Sequence, residues 1–130
     1  MSKKLSVPNI LASFTETWSP KLVANLDSAY DIKIAKLDGE FIWHAHPDAD
    51  ELFYVLNGNL TIQIGDAEDH IKEEIVMAAG DLYVVPSRTR HRPVARNAEV
   101  MIMEKSTVVN TGDEPQSERT KVAEDRRTAI

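Results

Sequence analysis

The run Leu60-Thr61-Ile62-Gln63-Ile64 alternates apolar with polar side chains, one for one. Successive side chains of a strand point to opposite faces, so this stretch reads as a strand with Leu60, Ile62 and Ile64 packed inward and Thr61 and Gln63 in water. The same pattern continues outward from it. From Tyr30 to Gln63 the chain consists of short segments rich in Ile, Val, Phe, Tyr and Trp, broken at Gly39, Pro47, Asn57 and Gly58. A hairpin is predicted at Asn57 to Asn59. Further strands are predicted over 71–77, 81–85, 91–95 and 99–105, with turn signals at Gly65 to Asp66, Ala79 to Asp81 and Pro86 to Arg90. Many short, evenly spaced strands with no helical pattern long enough for a crossover predict an all-β fold, an antiparallel sandwich or barrel.

Ahead of this region Ile10, Leu11 and Phe14 fall at helical spacing until Trp18, Ser19 and Pro20 interrupt them, which predicts a short N-terminal arm. After Asn110 the apolar periodicity is lost, so 111–130 reads as a polar C-terminal tail that buries little. The organisation expected is a single domain over 1–110 with its core at about 30–106.

With 130 residues and 42% hydrophobic side chains, one domain has enough material for a core without covalent staples. The absence of Cys excludes disulfides, thiolate metal ligands and a Cys nucleophile, so any metal is held by nitrogen and oxygen. A net charge of −6 argues against a generic phosphate-backbone binder, so nucleic acid is not an expected partner. The apolar runs are too short for a membrane-spanning helix, and Met1 to Leu11 lacks the continuous apolar stretch of a signal peptide. The expectation is a soluble cytoplasmic protein whose partner is a small molecule. An open sheet leaves edge strands, which a homodimer would cover.

The chemistry concentrates in Trp43-His44-Ala45-His46-Pro47-Asp48-Ala49-Asp50-Glu51. On a strand, His44 and His46 project from one face, and a turn at Pro47 to Asp50 could return Glu51 beside them. His91 opens its own strand after the turn Pro86 to Arg90, and whether it meets the others is left to the fold. His70 lies in the polar run Asp66 to Glu74 and reads as a surface residue.

These residues carry a family resemblance. Gly39, His44-Ala45-His46, four residues, Glu51, six residues and Gly58 resemble the first motif of the cupin superfamily; Gly80, five residues, Pro86 and then His91 resemble its second. The resemblance spans about residues 30–106 and implies a small jelly-roll β-barrel holding one divalent metal ion through His44, His46, Glu51 and His91. Thr107 to Gly112 look like the exit strand of small one-domain cupins of unassigned function. The chain departs from the family pattern at three places: the Gly39 to His44 gap is one residue shorter, Arg88 stands where the second motif has Gly, and Ala95 where it often has Asn. A Gly tolerates positive φ and an Arg is strained by it, so Arg88 marks the second turn.

Three neutral imidazoles and a carboxylate leave a divalent ion positively charged, with coordination positions open to water, dioxygen or a chelating substrate. Such a donor set suits Fe, Mn, Ni, Co and Zn about equally. Asp48, Asp50 and Glu51 oppose Arg88, Arg90 and Arg92, and Arg90 is the residue predicted to bind a carboxylate or phosphate of the substrate. Tyr83 and Gln63 are further candidates for contact around the metal. Trp43, Phe53 and Tyr54 read as strand packing before pocket lining, and Met77, Met101 and Met103 as core or interface. No general base stands out. The reading is a metal-dependent cupin acting on a small polar or anionic molecule, as a dioxygenase or a sugar isomerase or epimerase. Its alternative is a non-catalytic, metal-dependent binding or sensing module.

Overall fold

The structure, a computed structural model, describes residues 3–128. In chain order its elements are α1 (Val7–Ala12), β1 (Lys21–Leu26), β2 (Tyr30–Glu40), β3 (Glu51–Gly65), β4 (Ile71–Ala78), β5 (Leu82–Val85), β6 (His91–Lys105) and β7 (Glu124–Asp125). The strands hydrogen-bond in the order β4-β3-β6-β2-β1-β7, with β5 alongside β3. Neighbours are antiparallel except β1 and β7. This is the expected all-β jelly roll.

Two predicted breaks are bends instead. No hairpin forms at Asn57 to Asn59: β3 runs through, with its register against β6 slipping on either side of Asn57. Gly58 takes φ +78° there, and a Cβ on it would run into the Asn97 carbonyl. The predicted strands 91–95 and 99–105 are likewise one strand, β6, bent at Asn97 with φ +44°. A run of Asn and Gly signals positive φ in either setting, and only the partner strand distinguishes a bulge from a turn.

The bends close the barrel. Glu51 pairs with Glu104 at one end of the β3–β6 ribbon and Ile64 with His91 at the other. A straight strand would hold those ends roughly 40 Å apart. Yet Glu51 Oε1 lies 3.3 Å from His91 Nε2, so the ribbon folds back on itself. Inward side chains of its two halves, among them Phe53, Val55, Leu60, Ile62, Val100 and Ile102, form the main core.

The outer face of β2 carries Ile34, covered by Ile10, Leu11 and Phe14 from the N-terminal arm. Within that arm, α1 is a short helix whose first turn contains Pro8 and whose Asn9 N–H donates to the Ser6 hydroxyl. Strand β1, absent from the sequence reading, joins β2 through Asp27 and Ser28, both at positive φ.

The tail is mostly exposed, yet it docks on the barrel. Thr111 is fully buried, and β7 pairs with β1. Polar contacts dock it: the Asn110 amide donates to the Arg119 carbonyl and accepts from the Lys121 N–H, while Arg119 donates to the Glu40 carbonyl and lies over the Phe41 ring. Apolar periodicity is blind to docking of this kind.

Candidate metal centre

His44 and His91 come from different motifs, and the backbone brings them together. They form an isolated antiparallel bridge, the His44 N–H donating to the His91 carbonyl at 3.0 Å and the His91 N–H to the His44 carbonyl at 2.8 Å. His46 follows on the same face, and Glu51 enters as the first residue of β3. Two bonds stitch the loops that precede Glu51 and His91: Arg88 N–H donates to the His46 carbonyl and Ser87 N–H to the Asp50 carboxylate, both at 2.9 Å. Arg88 sits at φ +65°, the strained conformation that its place in the motif implied.

All four side chains are buried, and one donor atom from each lies within 4.8 Å of the others. Glu51 Oε1 is 3.4 Å from His46 Nε2 and 3.3 Å from His91 Nε2. The Nδ1 atoms of His44 and His91 donate to the Ile42 and Thr89 carbonyls, each at 2.9 Å, which turns the Nε2 lone pairs toward the cluster. Burial, with His91 beside it, pushes the His44 imidazole down to about 4, so it is neutral at physiological pH as a ligand must be. Burial pushes the Glu51 carboxyl up, but the imidazoles of His46 and His91 outweigh it and hold the group well below the usual carboxylate range.

His46 Nε2, His91 Nε2 and Glu51 Oε1 are buried without a hydrogen-bond partner. Buried polar atoms are rarely left so, and a divalent cation satisfies all of them at once. The residues present therefore fit such an ion.

Beside the cluster is a cavity of about 50 Å³ bordered by His44 and Glu51, by Trp18, Leu37, Phe41, Phe53 and Ile102, and by Lys33 and Glu104. The last two were not anticipated. Their signal is a charged residue on the inward parity of an apolar strand: Lys33 two positions before Ala35, and Glu104 two beyond Ile102. Lys33 Nζ lies 3.0 Å from Glu104 Oε1. Burial and the neighbouring Glu51 charge push the Glu104 carboxyl up to about 9, with Lys33 acting against them.

The predicted substrate residues are not brought to this cavity. Arg90 donates to the Asp66 carbonyl and pairs with Glu114 at 3.4 Å. Gln63 accepts from Arg92 and donates to Glu74. Tyr83 packs half-buried against the main core. Arg88 donates to the Pro47 carbonyl and Arg92 pairs with Glu40, so the charge contrast of the two loops resolves into contacts away from the Asp48 and Asp50 carboxylates. His70 is exposed, as expected. Phe53 lines the cavity, whereas Trp43 is stacked under Arg92.

A folded-over β-ribbon with nitrogen and oxygen donors converging inside it defines a small β-barrel of the jelly-roll class. Over residues 32–109 the chain matches the cupin domain family, and it belongs to that family. The chain is 44% identical over 61 residues to the uncharacterised protein YdbB of Bacillus subtilis (strain 168), which is 47% of this chain and 50% of that protein; it thus spans about half the length of this curated relative. A cupin-2 domain containing protein from Shewanella frigidimarina NCIMB 400 is similar in structure, with a TM-score of 0.70 and 34% identity over 78% of this chain and 93% of that one. Hydroquinone 1,2-dioxygenase from Sphingomonas sp. TTNP3, solved with 4-hydroxybenzoate bound, has a TM-score of 0.67 at 15% identity over 78% of this chain and 31% of its own, a likeness of fold alone. Among the described residues no helix is long and apolar enough to cross a membrane.

Proposed function

We propose that the chain holds one divalent metal ion through His44, His46, Glu51 and His91 and acts on a small molecule in the adjoining cavity. The observation that carries this is the convergence of four buried donors within 4.8 Å, several of them without another partner. An ion bound there would supply Lewis acidity and a coordination position for substrate or dioxygen at the cavity wall. The chain's own residues prepare that position. The Ile42 and Thr89 carbonyls fix the His44 and His91 rings, Glu51 supplies the single ligand charge, and Phe41 and Phe53 give the adjoining cavity an apolar wall.

Dioxygenase-type and isomerase- or epimerase-type reactions both suit this arrangement, and Glu104 provides a carboxyl within the cavity for proton movement that the sequence reading lacked. The fold shared with hydroquinone 1,2-dioxygenase supports only the capacity of such a barrel for oxygen chemistry. Fe, Mn, Ni, Co and Zn all suit the donors. We place the protein in the cytoplasm as a homodimer, whose mass light scattering reads directly.

The test is elemental analysis of protein purified without a His-tag, beside His44→Ala and His91→Ala. Near-stoichiometric metal in the parent and its loss in both variants is the expected result. A parent that stays metal-free after reconstitution overturns the proposal. Oxygen-consumption and isomerisation assays on the loaded protein then separate an enzyme from a binding module, which would bind metal and ligand with no turnover.

A further inference from the structure

We propose that Glu104, held in turn by Lys33, is the positioning residue for Glu51: a buried chain Lys33, Glu104, Glu51 braces the one carboxylate donor of the cluster from behind. The inference deepens the metal-site reading above and rests on it for its chemistry. Lys33 and Glu104 then act on a bound cation through Glu51.

Strand register brings the three together. Glu51 on β3 stands directly opposite Glu104 on β6, and Lys33 on β2, paired with Ile102, is the diagonal neighbour of Glu104. Lys33 Nζ donates to Glu104 Oε1 at 3.0 Å, and the Glu104 carboxyl hydrogen-bonds that of Glu51. Two carboxyl groups joined in this way share one proton, so Glu104 is the donor to a Glu51 that meets a cation as carboxylate. The side chains of Lys33, Glu104 and Glu51 are only 9%, 4% and 8% exposed.

Two of the imidazoles are held by the same logic. His44 and His91 each donate Nδ1–H to a carbonyl behind the ring and turn the other nitrogen to the cluster. A carboxylate has no N–H to use in this way, and Glu104 supplies from a side chain what the Ile42 and Thr89 carbonyls supply from the main chain. Glu51 Oε1 faces His46 and His91. A carboxylate that gives one oxygen to a cation still has acceptor capacity for Glu104. Stability of the fold does not account for the arrangement, because replacing a buried ion pair by apolar side chains is often neutral or stabilising. Lys33 and Glu104 stand in inward rows otherwise filled by Ala35 and Leu37 on β2 and by Val100 and Ile102 on β6. The charges interrupt those rows at the end where Glu51 lies.

The probes are Zn(II) and Co(II) on the full chain. Zn(II) affinity is measured by chelator competition, and the visible absorption of bound Co(II) reports the geometry of its ligands. In Lys33→Met/Glu104→Leu, where an apolar pair replaces the ion pair, affinity should fall by about tenfold to a hundredfold and the Co(II) bands should shift. Glu104→Gln, whose amide can accept from Lys33 and donate to Glu51, should recover most of both. Unchanged affinity in the double variant overturns the proposal. So does a fall in affinity with unshifted bands, the mark of a merely structural role, and so does equal impairment in Glu104→Gln. Should the double variant not fold, Glu104→Asp, which no longer reaches Glu51, takes its place with the same readouts. A parent that binds neither ion overturns the metal reading instead, and the brace is then read from the imidazole ¹⁵N resonances of His46 and His91, which face Glu51. Their movement in the double variant keeps the brace, and their constancy overturns it.

Discussion

Arg88 holds a left-handed backbone conformation with φ +65°, and its exposed side chain makes one long contact to the Pro47 carbonyl at 3.4 Å. That conformation costs a side-chain-bearing residue about 1–2 kcal/mol, while Gly loses about 0.5–1 kcal/mol more chain entropy on folding. Arg88→Gly should therefore stabilise the protein by about 0.5–1 kcal/mol, seen as a higher urea midpoint at unchanged slope. His44 sets a second expectation at this scale, for the metal-free protein. Its imidazole ionises near 4 when folded, against an ordinary value of 6.5, so its contribution is complete above pH 6.5 and is lost as pH falls through about 4. The loss amounts to about 3 kcal/mol. Glu104 acts in the opposite sense, since its raised carboxyl favours the folded state at low pH and loses that contribution as pH rises toward 9. The difference in urea stability between the parent and His44→Asn, followed from pH 7 to pH 4, isolates His44; a flat difference would contradict the assignment.

Loops and strands determine how the His44, His46, Glu51 and His91 donor cluster is supported. The segment Thr111 to Asp113 is part of that support, because Asp113 N–H donates to the Ala45 carbonyl and the Asp113 carboxylate accepts from Ala45 N–H, each at 2.9 Å. Gly112, at φ +59°, lies so close that a Cβ would run into the Ala45 carbonyl and stand 2.9 Å from His44 Cδ2. Gly112→Ala must push the tail away or turn the His44 ring. The expected outcome is a loss of about 1–3 kcal/mol in stability, together with metal affinity weaker by about tenfold or more. Chelator competition checks the second part, and unchanged affinity would show that the tail merely covers the cluster.

At the scale of the whole molecule, the donors sit where the two ends of the folded-over ribbon meet: Glu51 begins β3, His91 begins β6, and His44 and His46 lie in the connection after β2. An ion bound there ties the ends together and is present only in the folded state. At free metal about a hundred times its dissociation constant, stability should rise by about 2.7 kcal/mol, which is roughly 10 °C in Tm for a domain of this size. Chelator should reverse the gain and His91→Ala should abolish it. An equal shift in that variant would place the ion on another part of this acidic chain.

Local pattern alone determined the strand-rich architecture and the candidate ligands, because period-two alternation reports which face of a segment is apolar and because His44, His46 and Glu51 lie within one short stretch. His91 was legible as the fourth member from its place after the Pro86 turn, through resemblance to the family. Whether Asn57 to Asn59 reverses the chain or bends a continuing strand depended on β6, in particular on the Asn97 backbone that faces Gly58. Lys33 and Glu104, read singly, are ordinary charges on strands; they acquire meaning as a buried pair only when β2 and β6 lie side by side. The docking of 111–128 likewise escaped a search for apolar periodicity, since main-chain and polar side-chain bonds hold much of it. The sequence by itself determined which side chains could turn inward and what donors they offered. Tertiary structure alone decided which of them meet, because strand pairing and the closing of the ribbon are contacts between segments far apart in the chain.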